Sequence, residues 1–170
     1  LLTTKVLNAK DFGLPQNRER IFLVAMRNGD DFESFRFPVP PKTETKLGDI
    51  LQRRVSSKYT ISDLLWASHQ RRRREHEAKG NGFGYSLFSR SAKYTSTISA
   101  RYYKDGSEIL IEQRQGNPRK LAPREAARLQ GFPEDFIIPV SDTQAYKQFG
   151  NAVPVNVVKQ IAKQIVDAAF

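Results

Sequence analysis

The 170-residue chain has no cysteine, only two histidines and a single methionine. The missing thiol excludes disulfide frameworks, thiolate zinc sites, iron–sulfur clusters and a cysteine nucleophile from whatever chemistry these residues perform alone. His69 and His76 stand beside a run of four arginines with no further ligand cluster nearby. They therefore suggest no metal, and solvated or phosphate-facing side chains are expected. No apolar run approaches the roughly 20 residues of a membrane helix, and no cationic start leads into an apolar stretch of the secretory kind. A soluble, intracellular protein is expected. The chain opens Leu1-Leu2-Thr3-Thr4 and its one methionine is Met26, so a fragment or processed product is expected as well.

What is abundant is positive charge, and it is unevenly spread. The chain carries +10 at neutral pH, and residues 1–51, 52–120 and 121–170 contribute +1, +9 and 0. Lys and Arg gathered in this way favour a polyanion, because each one that displaces a counterion from a phosphate gains free energy that scattered charges do not. A solvated basic face is the competing reading for Arg71–Arg74 taken alone.

Along the chain, Lys5–Ala9 is strand-like and Phe12-Gly13-Leu14-Pro15 is a turn. It delivers into Arg18–Ala25, whose β-branched and aromatic content predicts a buried strand. Arg18 and Arg20, two apart, should project from one face and require an anionic or carbonyl-rich partner. Phe35–Pro41 is an extended proline-rich connector, and Lys46–Leu51 could form a helical turn. The basic middle predicts a helix over Ile61–His76, then a glycine-bearing stretch Lys79–Tyr85. Two strand-like pieces follow at Thr95–Tyr103 and Glu108–Gln113, linked by a hairpin signal at Lys104-Asp105-Gly106. The end is helical: Pro123 suits a first helical position, Glu125 and Arg128 are spaced to pair, and Gly131 with Pro133 marks a stop. Ser141 or Asp142 can cap a second helix ending at Gly150. A third begins at Pro154 with an apolar stripe of Val157, Val158, Ile161, Ile165 and Val166.

Three strings occur in order: Gln16-Asn17-Arg18-Glu19-Arg20, the stretch Arg119–Pro133 around Pro123-Arg124-Glu125-Ala126-Ala127-Arg128-Leu129-Gln130-Gly131, and Gln144-Ala145-Tyr146-Lys147-Gln148-Phe149-Gly150-Asn151-Ala152-Val153. Together they resemble the last three motifs of the DNA (cytosine-5) methyltransferases. Lys79–Tyr85 and Thr97–Gly106 resemble the target-recognition region of bacterial Dcm-like members, which methylate within CCWGG; other restriction-modification enzymes are similar, and the site stays open.

The resemblance implies an α/β fold: the C-terminal part of an S-adenosylmethionine-dependent methyltransferase with a small mixed, partly β target-recognition domain. Residues 1–51 would be a strand and connector of the catalytic domain, 52–133 the DNA-binding domain, and 134–170 helices returning to the catalytic domain. Family members flip a cytosine from duplex DNA, attack C6 with a thiolate, and transfer a methyl group from S-adenosylmethionine to C5. By that likeness Arg20 would stabilise negative charge at the cytosine O2. Arg18 would support the flipped nucleotide's backbone or the catalytic loop, unless it pairs with Glu19 or another acid.

DNA contacts would come from Lys79, Gly82, Phe83, Gly84, Thr97, Arg101 and Lys104. Glycines around Phe83 permit close backbone approach, and its ring could stack, although a core anchor is the alternative. Thr97 would touch a phosphate, unless it is simply a β-former in a strand. Asn151, Ala152 and Val153 would complete the S-adenosylmethionine pocket. Members of the family often carry threonine where Ala122 stands, and alanine cannot accept the capping bond, so a helix start weaker by about 1 kcal/mol is expected.

The sequence has no glycine-rich F-x-G-x-G loop, no Pro-Cys and no Glu-Asn-Val. The expectation is therefore a piece of a methyltransferase, inactive alone, whose partners are double-stranded DNA and an N-terminal catalytic half on the same longer chain or a second subunit. It would act in the bacterial cytoplasm at the nucleoid. A stand-alone, non-catalytic DNA-binding module is the alternative.

Overall fold

The computed structural model describes residues 1–82 and 84–169. Strands β1 (Leu2–Asn8) and β2 (Glu19–Ala25) form an antiparallel pair in which Val6 faces Ile21 and Leu7 faces Arg20. The link between them opens with a 3-10 turn, Ala9–Phe12, which Asn8 starts by accepting the Lys10 N–H at 3.2 Å. Gly13 ends it at φ 79°, a left-handed conformation that costs glycine nothing.

Short helices α1 (Gly29–Ser34) and α2 (Leu47–Ile50) flank the proline-rich connector. Ser62 caps the 16-residue α3 (Asp63–Ala78). The two-residue strands β3 (Leu87–Phe88) and β4 (Leu110–Ile111) pair in parallel. Three helices close the chain: α4 (Pro123–Leu129), α5 (Asp142–Asn151) and α6 (Val155–Ala169). The whole is a mixed α/β fold with few strands.

Two apolar clusters hold it together. Leu7, Phe12, Val24, Phe35, Val157 and Ile161 join one face of β1–β2 to α6. Leu47, Ile98, Tyr102, Ile109, Leu121, Leu129, Tyr146 and Phe149 belong to the other, so α5 packs with the middle of the chain and α6 with the strands.

Several expectations need correction. The stretch through Ala25 is not buried on both faces: Val24 is inside, but Ile21 and Leu23 are 60% and 61% exposed, with Leu2 and Val6 at 59% on the same face. Alternation sends one set of side chains toward α6 and the other into solvent.

Residues 95–103 and 108–113 make no hairpin. Ser99 donates its hydroxyl to Glu108 at 2.6 Å, and Tyr102 reaches across to the Ile109 carbonyl at 2.7 Å; these bonds curl 99–105 into turns and leave β4 to pair with β3. Thr97 accordingly lies in no strand.

Glu125 does not pair with Arg128. It is fully buried against Arg119 at 2.7 Å, while Arg128 bonds Glu134. Of the α6 stripe, Val157 and Ile161 are buried and Ile165 is partly so, whereas Val158 and Val166 are exposed. His69 is buried rather than solvated, its Nε2 3.4 Å from the Asp105 carbonyl.

Among the described residues, no helix is long and apolar enough to cross a membrane and no side-chain cluster could hold a metal ion.

Candidate active-site seam and nucleic-acid interface

The first of the three strings is a cross-link. Arg18 is buried just before β2, and its guanidinium donates to three carbonyls: Ile98 at 2.9 Å, Gly150 at 3.0 Å and Ala152 at 2.9 Å. No carboxylate takes part. Burial, with a smaller push from nearby Arg20, lowers the Arg18 pKa to about 10. A guanidinium suits this seat because its planar fork fills several acceptors that one ammonium could not.

Gln16, two residues earlier, is equally buried. Its Nε2 donates to the Leu129 carbonyl and to Gln130 Oε1, each at 3.2 Å, while its Oε1 accepts the Ile98 N–H at 3.0 Å. Gln130 passes the chain of bonds on, donating to the Phe149 carbonyl at 2.5 Å. Strings far apart in sequence thus meet at one polar seam where Ile98, Gln130 and the Gly150–Ala152 segment converge. Gly150 is required for that approach, since a Cβ there would lie against the backbone of Ser99 and Ala100.

The seam points some predicted residues inward and others out. Arg20 is exposed at the start of β2, with one bond, to the Glu19 carbonyl at 2.6 Å. Asn151 and Val153 are exposed, although the carbonyls of Gly150 and Ala152 beside them turn in to Arg18. Thr97 donates its hydroxyl to the Asn17 carbonyl at 2.7 Å, which ties it to the first string.

The remaining residues with predicted DNA contacts lie on two segments. Lys79 and Gly82 follow α3 and are exposed; Gly84 packs on Arg73 of that helix. Phe83 lies outside the described residues. Arg101 and Lys104 are exposed on the turn that follows Ile98. The two segments meet the same end of the β3–β4 pair, where the Ser86 N–H donates to the Ser107 carbonyl at 2.8 Å. At the other end of that pair Arg53, Arg54, Arg90 and Arg114 line an open cleft of about 550 Å³, so the basic surplus is not confined to the two segments.

Residues of the strings to which the sequence reading gave no such role complete the framework. Arg119 and Glu125 form a bidentate buried pair, and Glu125 also accepts the N–H groups of Ala122 and Gln52, each at 2.8 Å. Half of a capping box survives at Ala122: the glutamate supplies its bond, and alanine has none to return. Tyr102 accepts the Leu121 N–H at 2.7 Å and stacks edge-on against Tyr146, with burial pushing both phenols above their ordinary pKa. The available signal was polarity in an apolar context, as at Gln130 after Ala126, Ala127 and Leu129.

Residues 2–167 match the C-5 cytosine-specific DNA methylase family. The Type II methyltransferase M.SsoII of Shigella sonnei is 62% identical over 163 residues, covering 95% of this chain and 43% of that protein. The DNA-cytosine methyltransferase of Escherichia coli K12 is 41% identical over 191 residues, 94% of this chain and 39% of its own length. Among solved structures, Spodoptera frugiperda DNMT2 superposes with a TM-score of 0.75 at 18% identity, over 98% of this chain and 58% of that one. An Entamoeba histolytica methyltransferase gives 0.73 at 18%, over 98% and 53%. The chain thus spans about half the length of the curated relatives it matches. A match over nearly every residue, on strings that the fold brings to one seam, makes this chain a member of the C-5 cytosine-specific DNA methylase family.

Proposed function

We propose that the chain is the DNA-recognising, active-site-completing C-terminal part of a DNA (cytosine-5) methyltransferase of restriction-modification or Dcm type, acting in the bacterial cytoplasm. The observation that carries this reading is the Arg18 clamp. It binds the candidate reading segment at Ile98 and the loop at Gly150–Ala152 to the start of β2, and leaves the side chains of Arg20 and Asn151 outside. Arg18 faces inward and holds the site; Arg20 and Asn151 face outward and are left for substrate and cofactor.

In this reading Arg20 stands at the O2 of a flipped cytosine. A fixed guanidinium stabilises the charge that develops on the ring more than it stabilises the neutral base, and that difference accelerates the reaction. Arg18 acts through position, holding the strand that carries Arg20 against the recognition segment. S-adenosylmethionine, when bound, supplies the methyl group. An exposed amide at Asn151 can bond it and an exposed apolar side chain at Val153 can pack on it; Ala152, whose N–H and carbonyl bond Gln148 and Arg18, would hold the path of the loop beneath it. Lys79, Gly82, Gly84, Thr97, Arg101 and Lys104, with Phe83, would contact duplex DNA. The division at residues 51 and 133 into catalytic strand and connector, recognition domain and returning helices is part of the same proposal.

The nucleophile must come from elsewhere, because this sequence has no cysteine. The uncovered face of β1–β2, with Leu2, Val6, Ile21 and Leu23 about 60% exposed, suits a catalytic half seated on it. Transfer of tritiated methyl from S-adenosylmethionine to duplex DNA tests the whole reading. Incorporation should appear only when the N-terminal half is added. Incorporation by this chain alone, or none with both halves present, would overturn it.

A further inference from the structure

Helix α3 is an unusual helix for a folded domain. It is 16 residues long, yet only His69 is buried, and Leu64 is 83% exposed. A helix with no apolar stripe is held by whatever specific contacts it makes. Asp63 at its start accepts from the Asn117 amide at 2.6 Å, and two further sets of contacts lie along its length. Trp66 meets Tyr85 edge-on with ring centroids 4.7 Å apart, and the Arg73 guanidinium sits over the same ring at 5.0 Å. Arg73 is itself fixed by Glu77 at 2.9 Å, and a Cβ on Gly84 would lie 3.2 Å from its Cβ and Cγ. In the second set, His69 Nε2 lies 3.4 Å from the Asp105 carbonyl and Arg72 Nη1 3.4 Å from the Asp105 carboxylate.

Tyr85 closes the segment that begins at Lys79, and Asp105 follows Lys104. One helix therefore braces both candidate reading segments, one through an aromatic ring and one through a carboxylate, while burying almost nothing of its own.

We propose that α3 is a strut that fixes the spacing of the two reading segments and so sets which DNA sequence the protein prefers, with Tyr85 and Trp66 as positioning residues. The inference rests on the reading of Lys79–Gly84 and Arg101–Lys104 as DNA contacts. A base contact discriminates only if its side chain is held within a fraction of an ångström, and supports remote from the base do that work. Contacts to phosphate depend on charge and tolerate looser geometry.

The test is selection from a pool of short duplexes with a randomised centre, using the full 170-residue chain. Wild type should enrich a site. Tyr85→Ala and the milder Trp66→Leu should reduce discrimination of that site from unselected duplex by about tenfold to a hundredfold. Affinity for unselected duplex should stay within about twofold, since no phosphate contact is lost. Tyr85→Phe, which keeps the ring, should behave as wild type. The proposal is overturned if both variants keep the same site and discrimination, or if specific and unselected binding fall in parallel with melting temperature, which a merely structural helix would produce. Failure of wild type to enrich any site overturns instead the reading of the two segments as DNA contacts.

Discussion

Gln16 and Gln130, 114 residues apart, meet amide to amide at 3.2 Å in a site from which both are fully excluded from water. Each also binds backbone, so the pair links the turn before β2 to the end of α4 and of α5. Replacing Gln130 with alanine removes one of the two acceptors of the Gln16 Nε2 and the side-chain donor to the Phe149 carbonyl, while Gln16 keeps the Leu129 carbonyl and the Ile98 N–H. Two hydrogen bonds lost from a buried site cost about 0.5–1.5 kcal/mol each, so a loss on the order of 2 kcal/mol is expected in urea unfolding. The Gln16→Ala, Gln130→Ala double variant should lose less than the sum of the singles, a coupling of about 0.5–3 kcal/mol.

Arg18 and Arg20 should separate cleanly by experiment. Arg18→Lys exchanges a three-carbonyl fork for one point charge in a buried seat and should cost about 2–4 kcal/mol of stability. Arg20→Ala, at an exposed position, should change stability by no more than about 0.5 kcal/mol. In the assembled enzyme the same substitution should lower methyl transfer at least about a hundredfold. Retained turnover with normal DNA binding would remove Arg20 from the reaction.

Gly150→Ala is expected to be severe for so small a change. The added methyl meets the main chain of Ser99 and Ala100, which has no rotamer with which to escape. Overpacking of this kind costs about 1–3 kcal/mol or more, and thermal melting would detect it.

Asp105 gives a pH signature. Burial raises its pKa, but bonds from Ser107 and the proximity of His69 and Arg72 outweigh that and hold it below the usual carboxylate value. A depressed native pKa means that the carboxylate contributes stability at pH above its unfolded value, about 4, and loses it as pH falls through the lower native value. Asp105→Asn should therefore melt below wild type at pH 6, with the gap closing toward pH 3. A gap that is constant with pH would exclude an ionic contribution.

The open face of β1–β2 predicts opposite effects in two settings. Leu23→Glu should leave this chain's own stability within about 0.5 kcal/mol, because the side chain is already in solvent. It should abolish co-purification with the N-terminal half. Undiminished co-purification would mean that the half docks elsewhere.

Much of this arrangement was legible in the sequence, and the limits have physical causes. The start of α5 was, because capping is local: Ser141 sits there and accepts a backbone N–H. The turn at Phe12-Gly13 was, because a left-handed residue is written as glycine. The hairpin expected around Lys104-Asp105-Gly106 was not, since the Tyr102 and Ser99 hydroxyls bond the Ile109 carbonyl and Glu108 of the facing segment in place of a backbone ladder, and the sequence does not show which hydroxyl will be buried. The pairing of Glu125 was misread for the same reason: helical spacing to Arg128 is visible locally, but the burial that favours Arg119 is a property of the assembled core. The exposed sides of Ile21 and Leu23 were read as buried because apolar content reports what a face needs, and not whether this chain supplies it. At the site, the three ordered strings located the residues; only the fold showed that Arg18 turns inward and Arg20 outward.

The bonds that cross the seam end largely on main chain. Arg18 takes the carbonyls of Ile98, Gly150 and Ala152, Gln16 the carbonyl of Leu129 and the N–H of Ile98, and Gln130 the carbonyl of Phe149. Peptide groups are the same whatever side chains they carry. The clamp therefore constrains the path of the chain at these points and leaves its text free, so in the proposed reading a recognition segment of different sequence could be grafted between Gln52 and Arg119 and still be gripped, provided its backbone returns to the same few positions. In that reading specificity can change at this seam without renegotiating assembly.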